Sequence, residues 1–241
     1  MTHPKRPTRR SSSVLVVVAV VAAVLTAVAA LTVGSSTLGG PQPSATPPAA
    51  GSSAAATDPL RALERRTPKD PMAKGDVDAP VVMISYSEFQ CPFCGRFAND
   101  TEQALVEKYV DAGTLRIEWR DFPYLGDESL SAAVAGRAAA RQQGFWAFHD
   151  EMFADQQPPN SGELTEDHFV QIAQRAGLDG EQLRKDMTDP ALAAAVREDF
   201  EEGQSIGVTG TPAFIVNGEP IIGAQPTEVF EQAIDRAAAA R

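Results

Sequence analysis

The 241 residues carry 21 Lys and Arg against 32 Asp and Glu, and the imbalance is concentrated, since residues 67–241 hold fourteen basic and thirty acidic side chains. An acidic domain repels polyanions, which argues against nucleic acid and anionic lipid headgroups as ligands; a solvated surface that aids solubility accounts for the charge fully. Only two cysteines are present, Cys91 and Cys94, so their compartment decides how they are read.

The N-terminus addresses the compartment first. Residues 1–13 include Lys5, Arg6, Arg9 and Arg10, and an uncharged apolar run follows from Val14 to Val33. As a helix at about 1.5 Å per residue, 14–33 measures roughly 30 Å, the thickness of a bilayer core. No Lys or Arg follows until Arg61, so the positive-inside rule places the N-terminus in the cytoplasm and the bulk of the chain outside. An uncleaved signal anchor is expected, because signal-peptide apolar regions run only about 7 to 15 residues. The alternative is secretion after cleavage near Ala29, where Ala27-Val28-Ala29 forms an A-x-A site. No cysteine lies near enough for lipid modification of the N-terminus.

Residues 34–57 are Gly, Ser, Pro, Ala and Thr with little else, a composition that reads as a flexible tether. The remainder, 58–241, is long enough for one domain with its own core. Its first element is "VVMISY", Val81 to Tyr86, a β-rich run with the character of a strand buried on both faces. The run leads directly into the cysteines. Phe93, Phe97, Ala104 and Leu105 then recur at near-helical spacing, predicting a helix from Cys91 to about Val110. In "TLRIEWRDF" Leu115, Ile117 and Trp119 alternate with Arg116, Glu118 and Arg120, predicting a second strand.

The stretch from about 126 to 205 reads as a helical insertion. Ser129 to Arg141 is Ala-rich and stops at Gly144, Asp189-Pro190 supplies a cap and a first-turn proline, and Gly203 is read as a stop. Strands return at "AFIV", Ala213 to Val216, joined through Asn217-Gly218 to "EPIIGA"; Pro220 suits the second strand to a sheet edge. Val229, Phe230, Ala233, Ile234 and Ala237 mark one face of a last helix.

Three readings of the cysteine pair compete. As a staple it closes too small a loop to remove much entropy from the unfolded chain. As a zinc half-site it lacks two further ligands, for His149 and His168 lie too far apart in sequence for a Cys₂His₂ pattern. As a redox pair it fits: Cys91 at a helix N-terminus faces unpaired N–H groups and the positive end of the macrodipole, which stabilise a thiolate. Pro92 suits the first helical position, and Cys94, one turn on, is close enough to bond Cys91 but more buried. Cys91 is then the exposed, attacked sulfur and Cys94 the resolving one.

The residues "YSEFQCPFC", "FWAFHDEMF" and "GVTGTPAFIVNG" together resemble the DsbA-like branch of the thioredoxin superfamily, in its membrane-anchored extracytoplasmic form. The resemblance spans about residues 70–240 and implies an α/β thioredoxin-like fold with an inserted α-helical subdomain. It implies a cis peptide at Thr211-Pro212 beside the cysteines, with the Thr211 backbone pairing with an extended substrate segment. Its activity is that of a protein thiol–disulfide oxidoreductase. The expected direction is an oxidase introducing disulfides into unfolded or reduced exported proteins, with a tethered reductase or isomerase as the alternative and a non-catalytic assembly protein as the reading from another class. No nicotinamide, flavin or phosphate-binding signature appears, so no cofactor is expected. The resemblance implies reoxidation by a membrane partner, either DsbB-like or similar to vitamin K epoxide reductase.

Departures from that pattern single out further residues. Many relatives carry a buried acid six positions before the first cysteine, where this chain has Ser85; Glu88, three before it, is the candidate proton carrier, with a solvated loop acid as the alternative. Between the cysteines, Phe93 replaces the histidine common in strong oxidants and can neither donate a hydrogen bond nor carry charge. His149 is read as core, Trp146 and Phe153 as an apolar surface for unfolded substrate, and the helix from Glu198 to Glu202 as a solvated face.

Overall fold

The structure, a computed structural model, describes residues 58–240. The basic segment, the apolar run 14–33, the tether 34–57 and the cleavage site near Ala29 all lie outside the described residues. Among the described residues no helix is long and apolar enough to cross a membrane.

Five strands form one sheet in the order β1-β3-β2-β4-β5. The central strand is β2 (Val81–Ser87), and all seven of its residues are buried, as its unbroken apolar character requires. On one side β2 pairs in parallel with β3 (Leu115–Asp121), Val81 opposite Leu115 through Ser87 opposite Asp121. On the other it runs antiparallel to β4 (Ala213–Val216), with Ser85 opposite Phe214. β1 (Ala73–Lys74) borders β3, and β5 (Glu219–Ile222) is the far edge, where Pro220 costs no ladder bond to a further strand. The turn between β4 and β5 has Asn217 at φ 45° and Gly218 at φ 95°, the left-handed pair that an Asn-Gly hairpin uses.

The predicted first helix forms but is irregular. α1 (Pro92–Arg96) continues through π-helical turns at Phe97–Glu102, α2 (Gln103–Leu105) and a second π stretch at Val106–Val110. Phe97 and Leu105 pack with Phe214, Val216, Phe230 and Ile234 between the sheet and α8 (Thr227–Ala239). The insertion comprises α3 (Asp127–Arg141), α4 (Phe145–Ala154), α5 (Glu166–Arg175), α6 (Gly180–Asp186) and α7 (Pro190–Ser205). Its alanine-rich core joins Phe145, Phe148, Phe169 and Leu183 to Trp119, Phe89 and both cysteines. The site therefore sits where the insertion meets the sheet.

Three expectations need correction, and one buried face was not anticipated. The charged face of β3 is buried: Glu118 binds Arg116 at 3.1 Å and Arg120 at 2.9 Å and accepts the backbone N–H groups of Arg65 and Arg66. Period-two alternation marks two faces, and here the arm before β1 and α7 cover the polar one. The acidic end of α7 is solvated only at Glu198 and Glu201, for Asp199 is 1 % exposed and paired with Arg65 and Arg137, while Glu202 accepts from Tyr86 Oη at 2.9 Å. Buried carboxylates persist because each meets a guanidinium or a hydroxyl. Gly203 does not end α7; a β-carbon there would lie 2.9 Å from the Phe122 ring, so close packing requires the glycine. Finally, Phe153 is buried and Trp146 is partly covered by the Lys74 ammonium 4.2 Å above its ring, so neither offers an apolar surface.

Candidate active site

β2 delivers the chain to Cys91, which precedes α1 with extended backbone (φ −72°, ψ 117°), and Pro92 opens the helix. The Cys91 carbonyl accepts the N–H groups of Cys94 at 3.0 Å and Gly95 at 3.1 Å, closing the first turn. That turn brings the two sulfurs within hydrogen-bonding reach of each other. Hydrogen bonding from the Cys94 thiol is the largest influence on Cys91; with the Thr211 side chain and the amides of Cys94 and Phe93 it outweighs burial and lowers the pKa to about 5. Cys94 is driven the other way, well above the ordinary thiol range, by burial first and then by its bond to Cys91 and the Cys91 charge. One sulfur is poised as thiolate and the other as thiol.

Both sulfurs are nearly closed off from solvent, Cys91 at 2 % exposed and Cys94 at 1 %, and Cys94 lies the deeper of the two, as the sequence suggests. Phe93 holds the surface position instead at 53 % exposed, with the Arg96 guanidinium 5.1 Å from its ring.

The Thr211-Pro212 peptide is cis, and the Thr211 carbonyl oxygen lies 3.3 Å from Cys91 Sγ, which donates to it only when protonated. Among the described residues the Thr211 N–H has no partner. Pro212 is buried, and its carbonyl accepts Gly223 N–H at 2.9 Å.

Glu88 is 2 % exposed, which corrects the solvated alternative. Ser129 Oγ donates to Glu88 Oε2, and Oε1 has no partner among the described residues. Burial, opposed by the Ser129 bond and reinforced by the Cys91 charge, raises the Glu88 pKa to about 7. Ser85 lies buried in β2 and brings no charge to the pair.

Several neighbours escaped the sequence reading. Ser129 also accepts from Gln90 Nε2 at 2.8 Å, and Gln90 Oε1 accepts Asn160 N–H at 2.6 Å. Gln156 Nε2 donates to the carbonyls of Phe89 and Cys91. Tyr124, 42 % exposed, has its pKa raised by burial and by the charges of Cys91 and Glu88. It borders a cavity of about 330 Å³ lined also by Leu130, Val196 and Phe200. Polar loop residues carry no periodicity, so only the glycine after Cys94 hinted at a close approach.

His149 is buried, its Nδ1 2.8 Å from Asp150 and its Nε2 3.8 Å from Glu102. These three could offer donors to a metal, but Glu102 already accepts from Lys74 Nζ at 3.3 Å, and a resident ammonium disfavours a cation.

Comparison with known proteins agrees with this geometry. A family model described as Thioredoxin matches residues 67–236. The chain is 32 % identical over 148 residues to the probable disulfide bond formation protein D of Bacillus anthracis, covering 60 % of this chain and 68 % of the relative. A thioredoxin-like oxidoreductase from Silicibacter pomeroyi superposes with a TM-score of 0.62 at 31 % identity, over 73 % of this chain and 95 % of that one. Oxidised BdbD from Bacillus subtilis shares the fold, with a TM-score of 0.66 at 22 % identity over 71 % of this chain and 94 % of the other.

Proposed function

The chain belongs to the thioredoxin family and is a DsbA-like thiol–disulfide oxidoreductase, and from that premise we propose that it is an oxidase acting outside the cytoplasmic membrane on newly exported proteins. The observation that carries the direction is the opposed titration of Cys91 and Cys94. A disulfide whose reduced form is stabilised as a thiolate is a strong oxidant.

In this mechanism a substrate thiolate attacks Cys91 Sγ of the Cys91–Cys94 disulfide. The S–S bond breaks, Cys94 leaves and takes up a proton, and a mixed disulfide joins Cys91 to the substrate. A second substrate thiolate attacks the substrate sulfur of that bond and expels Cys91 as thiolate. The substrate is oxidised by two electrons, which now reside on the pair.

Thr211 and Pro212 form the substrate-binding edge: the free N–H of Thr211 gives an extended segment a backbone partner beside the sulfur. Pro92 sets the helix start on which the thiolate depends. Phe93 presents apolar surface to the substrate, and Glu88 stores a proton that titrates with Cys91. The electrons pass on to a membrane partner, DsbB-like or similar to vitamin K epoxide reductase, and the apolar run 14–33 tethers the domain beside it.

One observation favours a weaker oxidant or a reductase. Phe93 offers the thiolate no side-chain donor and no charge. The reduction potential against glutathione decides between them: a value towards about −120 mV fits the oxidase, and one towards about −270 mV overturns it in favour of a reductase.

A further inference from the structure

The insertion reaches the loop before Cys91 through a side chain that the exchange chemistry does not use. Gln156 follows α4, and both of its amide hydrogens are committed, to the Phe89 carbonyl at 2.9 Å and the Cys91 carbonyl at 3.0 Å. Among the described residues the Phe89 carbonyl has no other donor. The amide oxygen rests against Gly95, where a β-carbon would lie 2.3 Å from Oε1, a distance no side chain tolerates. The glycine directly after Cys94 is what admits the amide.

We propose that Gln156 is a positioning residue for thiol–disulfide exchange: pinning the backbone on both sides of Gln90, it holds the Cys91 sulfur over the first amides of α1 and stabilises the dithiol state more than the disulfide. The inference rests on the exchange chemistry above and not on its direction.

The reasoning compares two redox states. In the disulfide, the bond to Cys94 holds the Cys91 sulfur over the helix wherever the loop would otherwise lie. In the dithiol state that bond is gone, and the sulfur stays over the helix only if residues 89–91 do. The groups that stabilise its charge, the Cys94 thiol, Thr211 and the amides of Cys94 and Phe93, all stand on α1 or on the loop before β4. A loop that shifts away loses them together. Oxidation of a substrate dithiol sends two electrons to the Cys91–Cys94 bond, leaving Cys91 as thiolate and a proton on Cys94. The equilibrium constant of that exchange therefore contains whatever Gln156 adds to the reduced state.

Two variants of the full chain test this by different routes. Gln156→Met keeps the length and removes the donors without placing a charge near Cys91. Gly95→Ala keeps the glutamine but evicts its amide, while replacing a helical glycine with a better helix former. Each should lower the equilibrium constant for oxidising glutathione by roughly 3- to 10-fold, the worth of about one net hydrogen bond. Each should also raise the pH at which Cys91 titrates and destabilise the reduced form more than the oxidised form in urea. Gly95→Ala combined with Gln156→Ala should be no weaker than Gly95→Ala alone, since the amide is already displaced. Equal loss of stability in both redox forms, with constant and titration unchanged, would reduce Gln156 to packing and overturn the inference alone. A wild-type chain that does not exchange with glutathione at all would overturn the exchange reading and this inference with it.

Discussion

Cys91 Sγ points at the carbonyl oxygen of Thr211, 3.3 Å away, although 120 positions separate them in the chain. The contact ties the start of α1 to the loop before β4, so the sulfur and the backbone to which we assign the first attack and the substrate segment share one address. Three predictions concern the geometry around it, and a fourth the ion pairs that support the fold.

The first concerns the order of attack. Cys94→Ser removes the resolving sulfur but leaves Cys91 and its helix amides in place, so mixed disulfides with substrate should accumulate through Cys91. Cys91→Ser should trap none, and oxidation of a dithiol peptide by either variant should fall to background. Non-reducing gels of cells expressing each variant read this directly; equal trapping by Cys91→Ser would reverse the assignment of the two sulfurs.

The second concerns pH. Cys91 titrates lower in the folded chain, about 5, than a free thiol, so its thiolate adds stability that is complete above the unfolded value of about 8.5 and is lost as pH falls through 5. At pH 7 the contribution is about 2–3 kcal/mol by linkage. The oxidised form has no such thiolate. Urea unfolding of both forms should show the reduced protein gaining on the oxidised one between about pH 5 and pH 8.5. Parallel curves would contradict a lowered Cys91 pKa.

Glu88 carries the opposite sign. Its folded pKa is raised to about 7, so it costs stability progressively as pH rises from the ordinary carboxyl range to that value, then levels off. Glu88→Gln abolishes the cost and can keep a hydrogen bond to Ser129. The variant should gain on the order of 2–3 kcal/mol relative to wild type between pH 4 and pH 8. The inflection near pH 7 in its exchange-rate profile should also disappear. An unchanged profile would remove Glu88 from the proton path.

Asp199 concerns the fold alone. It is 1 % exposed, pairs with Arg65 and Arg137, and accepts Asp121 N–H at 3.1 Å. Asp199→Ala leaves Arg65 with Glu202 and Arg137 with Asp121 but strips each of its second carboxylate and the Asp121 N–H of its acceptor, and should cost about 1–3 kcal/mol. Asp167, in an exposed pair with Arg184, should leave stability almost unchanged when changed to alanine. Similar losses at both positions would mean that burial does not set the value of these pairs.

Local patterns carried most of the architecture. The unbroken apolar run of β2, the Asn217-Gly218 turn and the proline after Asp189 each act within a few residues, and each element formed where its pattern placed it. What the sequence could not show was cover. Arg116, Glu118 and Arg120 alternate as a solvated strand face would, and only the arm at Arg65 and the distant α7 turn that face inward. Glu88 has the composition of a loop acid until Ser129, forty-one positions away, and the insertion enclose it. Gln156 has no periodicity and is visible only through what it touches. The cysteine pair itself was legible because one helical turn contains it.

The shared core of the cysteines, Phe89 and the insertion sets a rule for grafting. Transplanting residues 127–205 alone onto another thioredoxin scaffold would leave Gln156, Ser129 and Asn160 facing a foreign loop, while transplanting the Cys-x-x-Cys turn alone would leave Phe89 without Phe148 and Phe153. The smallest portable unit is discontinuous, residues 88–95 and 127–205 with the Thr211-Pro212 turn, and a chimaera should inherit the donor's redox character only when all three pieces travel together.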